Sequence, residues 1–218
     1  MSNLEKKFNL GKKVKFNYTY IYSFIRTFLG LVNKITVQRY ITNTNAMVDI
    51  FIRVKPTNIL TCIKLLSKSL FFTYEQLVNL TCVDNLTIKG IKKRFTLVYV
   101  FNKINTNSRL IMLVDFKETD LIPSISPFFK AANWLEREVF DLFGVFFINH
   151  FDLRRILTDY GFKGFPLRKD FPLTGYLELR YDEGKKYVKY QRLVLMQEYR
   201  FFNFTSPWKQ YHINSLKR

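Results

Sequence analysis

The stretch RFTLVYVFN (Arg94–Asn102), followed closely by SRLIMLVDF (Ser108–Phe116), is where the fold of this chain is decided. Both runs are rich in β-branched, aromatic and aliphatic residues and read as two long strands. The connection between them is rich in Asn, which suits a hairpin. Upstream, Ile35–Ile41 and Val48–Lys55 are β-branched and partly alternating, separated by the turn-forming Asn43, Thr44 and Asn45. Pro56 then opens a helical stretch over Thr57–Leu70, whose Ile59, Ile63, Leu66 and Leu70 follow the helical period. Phe71–Asp84 is mixed, with a short helix expected over Tyr74–Leu80. Two strands, a helix and a hairpin make an α+β fold with a mixed or mostly antiparallel sheet and flanking helices.

Toward the N-terminus, residues 1–15 are basic and read as a loose arm. From Phe16 an apolar stripe of Phe16, Tyr20, Phe24, Phe28 and Val32, seconded by Ile21, Ile25 and Leu29, predicts an amphipathic helix. Its polar face offers only Arg26 as a cation, so packing on a sheet or a partner is preferred to lying on a membrane surface. Toward the C-terminus, Pro123 and Pro127 mark a break. A helix follows from about Lys130 to Phe143, with Leu135, Val139, Leu142 and Phe146 as its stripe and Gly144 as its stop. From Phe146 to about Gly175 the periodicity disappears, while Phe, Leu, Tyr and Arg stay frequent. A structureless run of that length is uncommon in an isolated domain, and aromatics mixed with Arg are typical of interface cores, so this segment is expected to be ordered by lying on another chain. Tyr176–Tyr181 and Tyr187–Leu195 read as two short strands joined at Asp182, Glu183 and Gly184. The organisation is therefore an arm and helix over 1–34, an α+β domain over 35–145, and an extended interface segment and tail over 146–218.

Composition narrows the function by exclusion. The net charge is +18, from 35 Lys and Arg against 17 Asp and Glu, which favours association with nucleic acid, anionic lipid or an acidic protein without choosing among them. The densest runs, Lys6 to Lys15 and Lys92, Lys93, Arg94, read as solvated basic faces. The abundance of Phe, Tyr, Ile, Asn and Lys is a bias that AT-rich coding produces, as in an organelle or parasite genome. No run of about 20 apolar residues could form a transmembrane helix, and the N-terminus fits neither a signal peptide nor an Arg- and Ser-rich transit peptide. Cys62 and Cys82 read as buried free thiols. Together with His150 and His212 they offer no ligand set for an iron–sulfur cluster or zinc. The eight glycines are scattered, with no dinucleotide fingerprint and no P-loop. Glu138 and Asp141 share a helix face and invite comparison with an acid/base pair. Pairing of Glu136, Glu138 and Asp141 with Arg137, Arg154, Arg155 or a partner's cation is the preferred reading.

The run ANWLEREVFDLFGV (Ala132–Val145) and its continuation HFDLRRILTDYGF (His150–Phe162) resemble the signature of the thirty-kilodalton subunit of respiratory NADH:ubiquinone oxidoreductase (complex I), whose bacterial equivalents are called the C subunit. The likeness continues through PLRKDFPLTGY (Pro166–Tyr176), resumes at Gln197–Arg200 and Ser206–Trp208, and echoes in YEQLVNLTCVD (Tyr74–Asp84). Phe151 stands where the family usually has Pro, Phe165 where it often has His, and Asn79 and Cys82 where it usually has Asp and Ala. Residues 1–34 carry no recognisable likeness.

The resemblance implies a subunit of NADH dehydrogenase with no catalytic, cofactor-binding or metal-binding residue of its own, a scaffold in the peripheral, quinone-module arm. FMN and iron–sulfur clusters would sit on other subunits. The partners it implies are the large quinone-site subunit and the cluster-bearing subunits, with the membrane reached only through the complex and no nucleic acid bound. The location it implies is the matrix face of the mitochondrial inner membrane, with the chain mitochondrially encoded. Carried onto this chain, the signature and interface residues are Trp134, Glu136, Arg137, Glu138, Asp141, Gly144, His150, Asp152, Arg154, Arg155, Asp159, Tyr160, Arg168 and Asp170. Their charge-assisted contacts are expected to contribute about 1.5–3 kcal/mol each where buried. The competing readings are a basic organellar RNA-binding or ribosomal protein, on charge and aromatic content, and a stand-alone oxidoreductase.

Overall fold

The computed structural model describes residues 32–41, 46–68, 74–87, 93–104 and 108–202. The basic arm, nearly all of the helix expected from Phe16, and the Ser206–Trp208 motif lie outside the described residues. Val32, placed in that helix by its stripe, opens the first strand instead.

A five-stranded sheet organises the chain: β1 (Val32–Ile41), β2 (Ala46–Val54), β3 (Gln76–Asp84), β4 (Phe95–Lys103) and β5 (Ser108–Phe116), in the spatial order β1-β2-β5-β4-β3. Every neighbouring pair is antiparallel except β2 and β5, so the sheet is mixed. The register explains the core. Phe95, Leu97, Tyr99 and Phe101 pair with Phe116, Val114, Met112 and Leu110, all pointing to one face and all buried. Ile50, Ile52 and Val54 extend that face on β2, and Leu80 and Cys82 extend it on β3. Helix α1 (Ile59–Lys68), entered through a short 3-10 turn at Pro56–Asn58, adds Ile59, Cys62, Ile63 and Leu66 to the same core. Each such side chain removed from water contributes about 1.5–3 kcal/mol. Burial pushes the free thiol of Cys62 up to about 11 and that of Cys82 up to about 12, in keeping with packing residues.

The helix expected over Tyr74–Leu80 does not form; β3 occupies that region. A bulge between Leu77 and Asn79 supplies the reason. The extra residue at Val78 returns Leu77 and Leu80 to the same buried face, a spacing that looks helical in sequence.

Helix α2 (Ala132–Phe143) packs against β3 and is held by a small parallel pair, β6 (Ile122–Pro123) and β7 (Phe147–Ile148), on either side of it in sequence. Gly144 ends α2 as expected, in the left-handed region at φ 75°, its N–H bonded to the Phe140 carbonyl at 2.9 Å. Close approach also demands glycine there: a Cβ would lie 2.6 Å from the Phe165 ring and the Arg168 guanidinium.

The described residues up to Leu173 form one compact unit, and a second begins at Thr174. In the second, β8 (Leu177–Asp182) and β9 (Tyr187–Arg192) make the expected hairpin. The Asp182 carboxylate accepts the N–H groups of Gly184 and Lys185 at 3.2 and 3.3 Å and fixes the turn. Leu177, Leu179, Tyr181, Val188 and Tyr190 share one face of this ribbon, and all are exposed. Among the described residues no helix is long and apolar enough to cross a membrane.

Candidate functional site

The signature residues lie on α2 and on the aperiodic strap that follows it, residues 146–173. Within this chain the strap runs back against the end of α2, and polar contacts fasten it there. Contacts within its own chain therefore support the strap, beside the neighbouring chain expected from the sequence.

The strongest fastening is Asp141. Its wholly buried carboxylate accepts the backbone N–H groups of Ile156, Leu157 and Thr158 at 3.1, 2.7 and 2.9 Å, and the Thr158 hydroxyl at 2.5 Å. Arg155 completes the site at 3.1 Å and reaches on to the Gly164 carbonyl at 2.9 Å. Burial raises the carboxyl, but the Thr158, Leu157 and Ile156 hydrogen bonds outweigh it and hold Asp141 below the usual carboxylate range. The Arg155 guanidinium also lies over the Phe162 and Phe165 rings, at 5.8 and 5.1 Å.

A second fastening joins the strap to the sheet. Asp84, at the end of β3, receives Arg94 through both Nε (3.2 Å) and Nη2 (3.0 Å), and the Lys169 backbone N–H at 3.0 Å. Arg94 also pairs with Glu118 at 3.2 Å and Asp170 at 3.0 Å. Burial pushes Asp84 up, yet the Arg94 bonds and the N–H groups of Lys169 and Leu86 hold it low, while Arg94 itself is pushed further up by Asp84 and Asp170. Arg168 donates to the Phe143 carbonyl at 2.6 Å and to Glu118, and lies 4.5 Å from the Phe165 ring centre. The basic run ending at Arg94 is thus not simply a solvated face. Arg94 is a half-buried anchor, and the Lys93 Nζ donates to the Asp115 carbonyl at 2.9 Å.

The remaining residues divide by exposure. Glu136 is wholly buried, accepting the Ser124 hydroxyl at 2.6 Å and the Ile125 N–H at 2.8 Å, and its carboxyl is pushed up by burial to about 7. Arg137 is buried and holds the Arg154 carbonyl at 3.1 Å, with its guanidinium 5.1 Å from the Trp134 ring. Arg154 is exposed and pairs with Asp152 at 2.9 Å. Glu138 is half-buried and its side chain has no hydrogen bond or ion pair among the described residues, so it does not pair with Asp141. Asp159 accepts the Tyr160 N–H at 2.8 Å and sits at the surface. Trp134, Phe151 and Tyr160 are 63, 96 and 95% exposed, aromatic surface held out on a fastened backbone. No group of three or more His, Cys, Asp or Glu among the described residues could hold a metal.

Sequence reasoning missed Arg94, Glu118, Ser124 and Thr158 as members of this arrangement. Asp84 closed the weaker family echo, but nothing local in sequence tied it to Lys169.

The family model for the respiratory-chain NADH dehydrogenase 30 Kd subunit matches residues 52–177. The chain is 48% identical to NADH-ubiquinone oxidoreductase subunit 9 of Reclinomonas americana, covering 76% of this chain and 80% of that relative. It is 44% identical to the subunit 9 counterpart of Acanthamoeba castellanii, covering 86% and 93%. A chain of a membrane-bound sulfane sulfur reductase, an archaeal respiratory membrane complex, shares the fold at 18% identity, with a TM-score of 0.54 over 72% of this chain and 85% of that one.

Proposed function

Since the chain belongs to the 30 Kd subunit family of respiratory-chain NADH dehydrogenase, we propose that it acts there as a cofactor-free scaffold of the peripheral arm, with the redox groups on other subunits. It is part of the NADH:quinone oxidoreductase complex, and its kinship favours that reading over an RNA-binding one. The eukaryotic relatives support mitochondrial association, and we place the chain on the matrix side of the inner membrane.

The observation that carries the reading is the division of labour in the strap. Arg155 and Arg168 turn inward to fasten the backbone, while Phe151, Leu157, Tyr160 and Leu167 stay outside. A backbone fixed in advance presents aromatic anchors at low ordering cost, which is what a stable subunit contact needs. The exposed face of the β8–β9 hairpin supplies a second apolar surface, with Arg180, Lys189 and Arg192 also exposed on the ribbon. Such a surface fits an apolar strip edged with carboxylates. The large quinone-site subunit and a cluster-bearing neighbour are the proposed partners, and residues 146–218 the proposed interface segment.

The test is a native gel of gently solubilised membranes, stained for NADH dehydrogenase activity and probed for this chain. Comigration with the active band is expected, with crosslinks from the strap and hairpin to the quinone-site subunit. Migration with ribosomal particles would overturn the proposal.

A further inference from the structure

We propose that Glu136 and His150 form a proton-controlled catch at the entrance to the strap, closed when Glu136 carries a proton. Glu136 is placed where α2, the β6 end and the turn after β7 meet. Its carboxyl reaches Ser124 and Ile125, just past β6, and Ser124 in turn contacts the Ser126 hydroxyl at 2.8 Å. The Ser124 N–H bonds the Ile148 carbonyl at 2.9 Å, so the carboxyl and the β6–β7 pair share one backbone. His150 follows at once, its side chain buried, with Nε2 3.6 Å from the Glu136 carboxylate.

The hydrogen bonds fix which ring nitrogen of His150 holds the proton. Nδ1 lies 3.1 Å from the Asp152 backbone N–H, which can only donate, so Nδ1 is an acceptor. Nε2 lies 3.3 Å from the Asn133 carbonyl, which can only accept, so Nε2 bears the hydrogen. Both ring nitrogens are thereby engaged by backbone groups, which ties the ring to α2 and to the first turn of the strap. In that tautomer the ring presents no positive charge to Glu136. The other groups facing the carboxyl are no better placed to offset a charge. Ser124 and Ser126 are neutral. Tyr99, from β4, is a wholly buried phenol whose hydroxyl has no hydrogen-bond partner and whose ionisation Glu136 opposes. On α2 itself, Asn133 leaves its Oδ1 buried and unbonded. No Lys or Arg is paired with Glu136 among the described residues.

An ionised Glu136 would thus be a buried charge without a counter-ion, held only by the Ser124 hydroxyl and the Ile125 N–H, and burial outweighs those two bonds in favour of the protonated form. The sign of the effect follows. The folded carboxyl titrates at about 7 against an ordinary 4.5, so the folded chain binds more protons than the unfolded one between those values. The catch's contribution is full below the lower value and is lost as pH rises through the upper one.

The test is a pH titration of the full chain with isotope-labelled glutamate carboxyls and histidine rings followed by NMR, alongside hydrogen exchange. One carboxyl, absent from Glu136→Gln, should titrate near neutrality. His150 should stay the Nε2–H tautomer while that carboxyl is protonated. Exchange at Ile148–Arg154 should quicken severalfold as it ionises, and Glu136→Gln, a fixed mimic of the protonated acid, should abolish that rise. If Glu136→Gln does not fold, the titration of the unmodified chain decides alone. A Glu136 carboxyl titrating in the ordinary range, or an Nδ1–H tautomer, would overturn the proposal, as would unchanged exchange across the titration.

Discussion

The strap and the β8–β9 hairpin follow one another in sequence and invert the usual relation between regularity and support. The strap has almost no secondary structure, yet its backbone is fastened by buried carboxylates and guanidinium groups. The hairpin has a complete antiparallel ladder, yet its apolar face is exposed. A two-stranded ribbon without a packed face is marginal in water, whereas a loop whose N–H groups are taken up by a carboxylate has its polar groups satisfied away from solvent. Regular structure and intrinsic order are thus separate properties here. The region that looks irregular is fastened within the chain, and the region that looks regular leaves its apolar face exposed.

The contrast breaks most sharply at Asp141. Asp141→Ala strands Arg155 and the N–H groups of residues 156–158, and it should cost about 3–5 kcal/mol in urea unfolding of the full chain. The strap amides should lose hydrogen-exchange protection while those of the hairpin do not change. Gly144→Ala should come next, at roughly 1–3 kcal/mol, because alanine is strained at a positive φ and its methyl collides with Phe165 and Arg168. Thermal melts would measure it, and a neutral result would deny that the strap packs tightly on the end of α2.

Acid should loosen the strap by degrees. Asp84 and Asp141 both titrate below 3.8 in the folded chain, so their stabilisation is present above the unfolded value and lost as pH falls through the folded one. Exchange at strap amides should rise over that acid range, opposite in direction to the effect of Glu136. The smallest effect on stability belongs to the hairpin. Leu179→Ser with Tyr190→Ser should change the unfolding free energy by no more than about 0.5 kcal/mol, as expected for exposed sites. The same double variant should reduce incorporation into the active band on a native gel. A large loss of stability with normal assembly would show that the hairpin is supported from within the chain.

The strands β1, β2, β4 and β5 were legible because hydrophobic runs and turn residues are local signals, and the α2 stop because glycine alone is easy at a left-handed position. The β3 bulge was not, since one inserted residue makes a strand imitate helical spacing. The site residues were named through the family motif rather than through chemistry visible in the sequence. Their roles were hidden because charge in a sequence does not say whether a side chain faces water. Glu136, Glu138 and Asp141 look alike on paper, yet one is pushed up by burial, one has no described partner and one is held low by a ring of donors.

By itself the sequence determined β1, β2, β4, β5 and the β8–β9 hairpin, the helices α1 and α2, and the family, because each depends on residue type and short-range spacing. Only the tertiary structure decided that Asp84 meets Lys169, that Arg94 is an anchor rather than solvated charge, and that the strap folds back on α2. Those contacts join residues far apart in the chain, and their strength depends on how completely water is excluded around them.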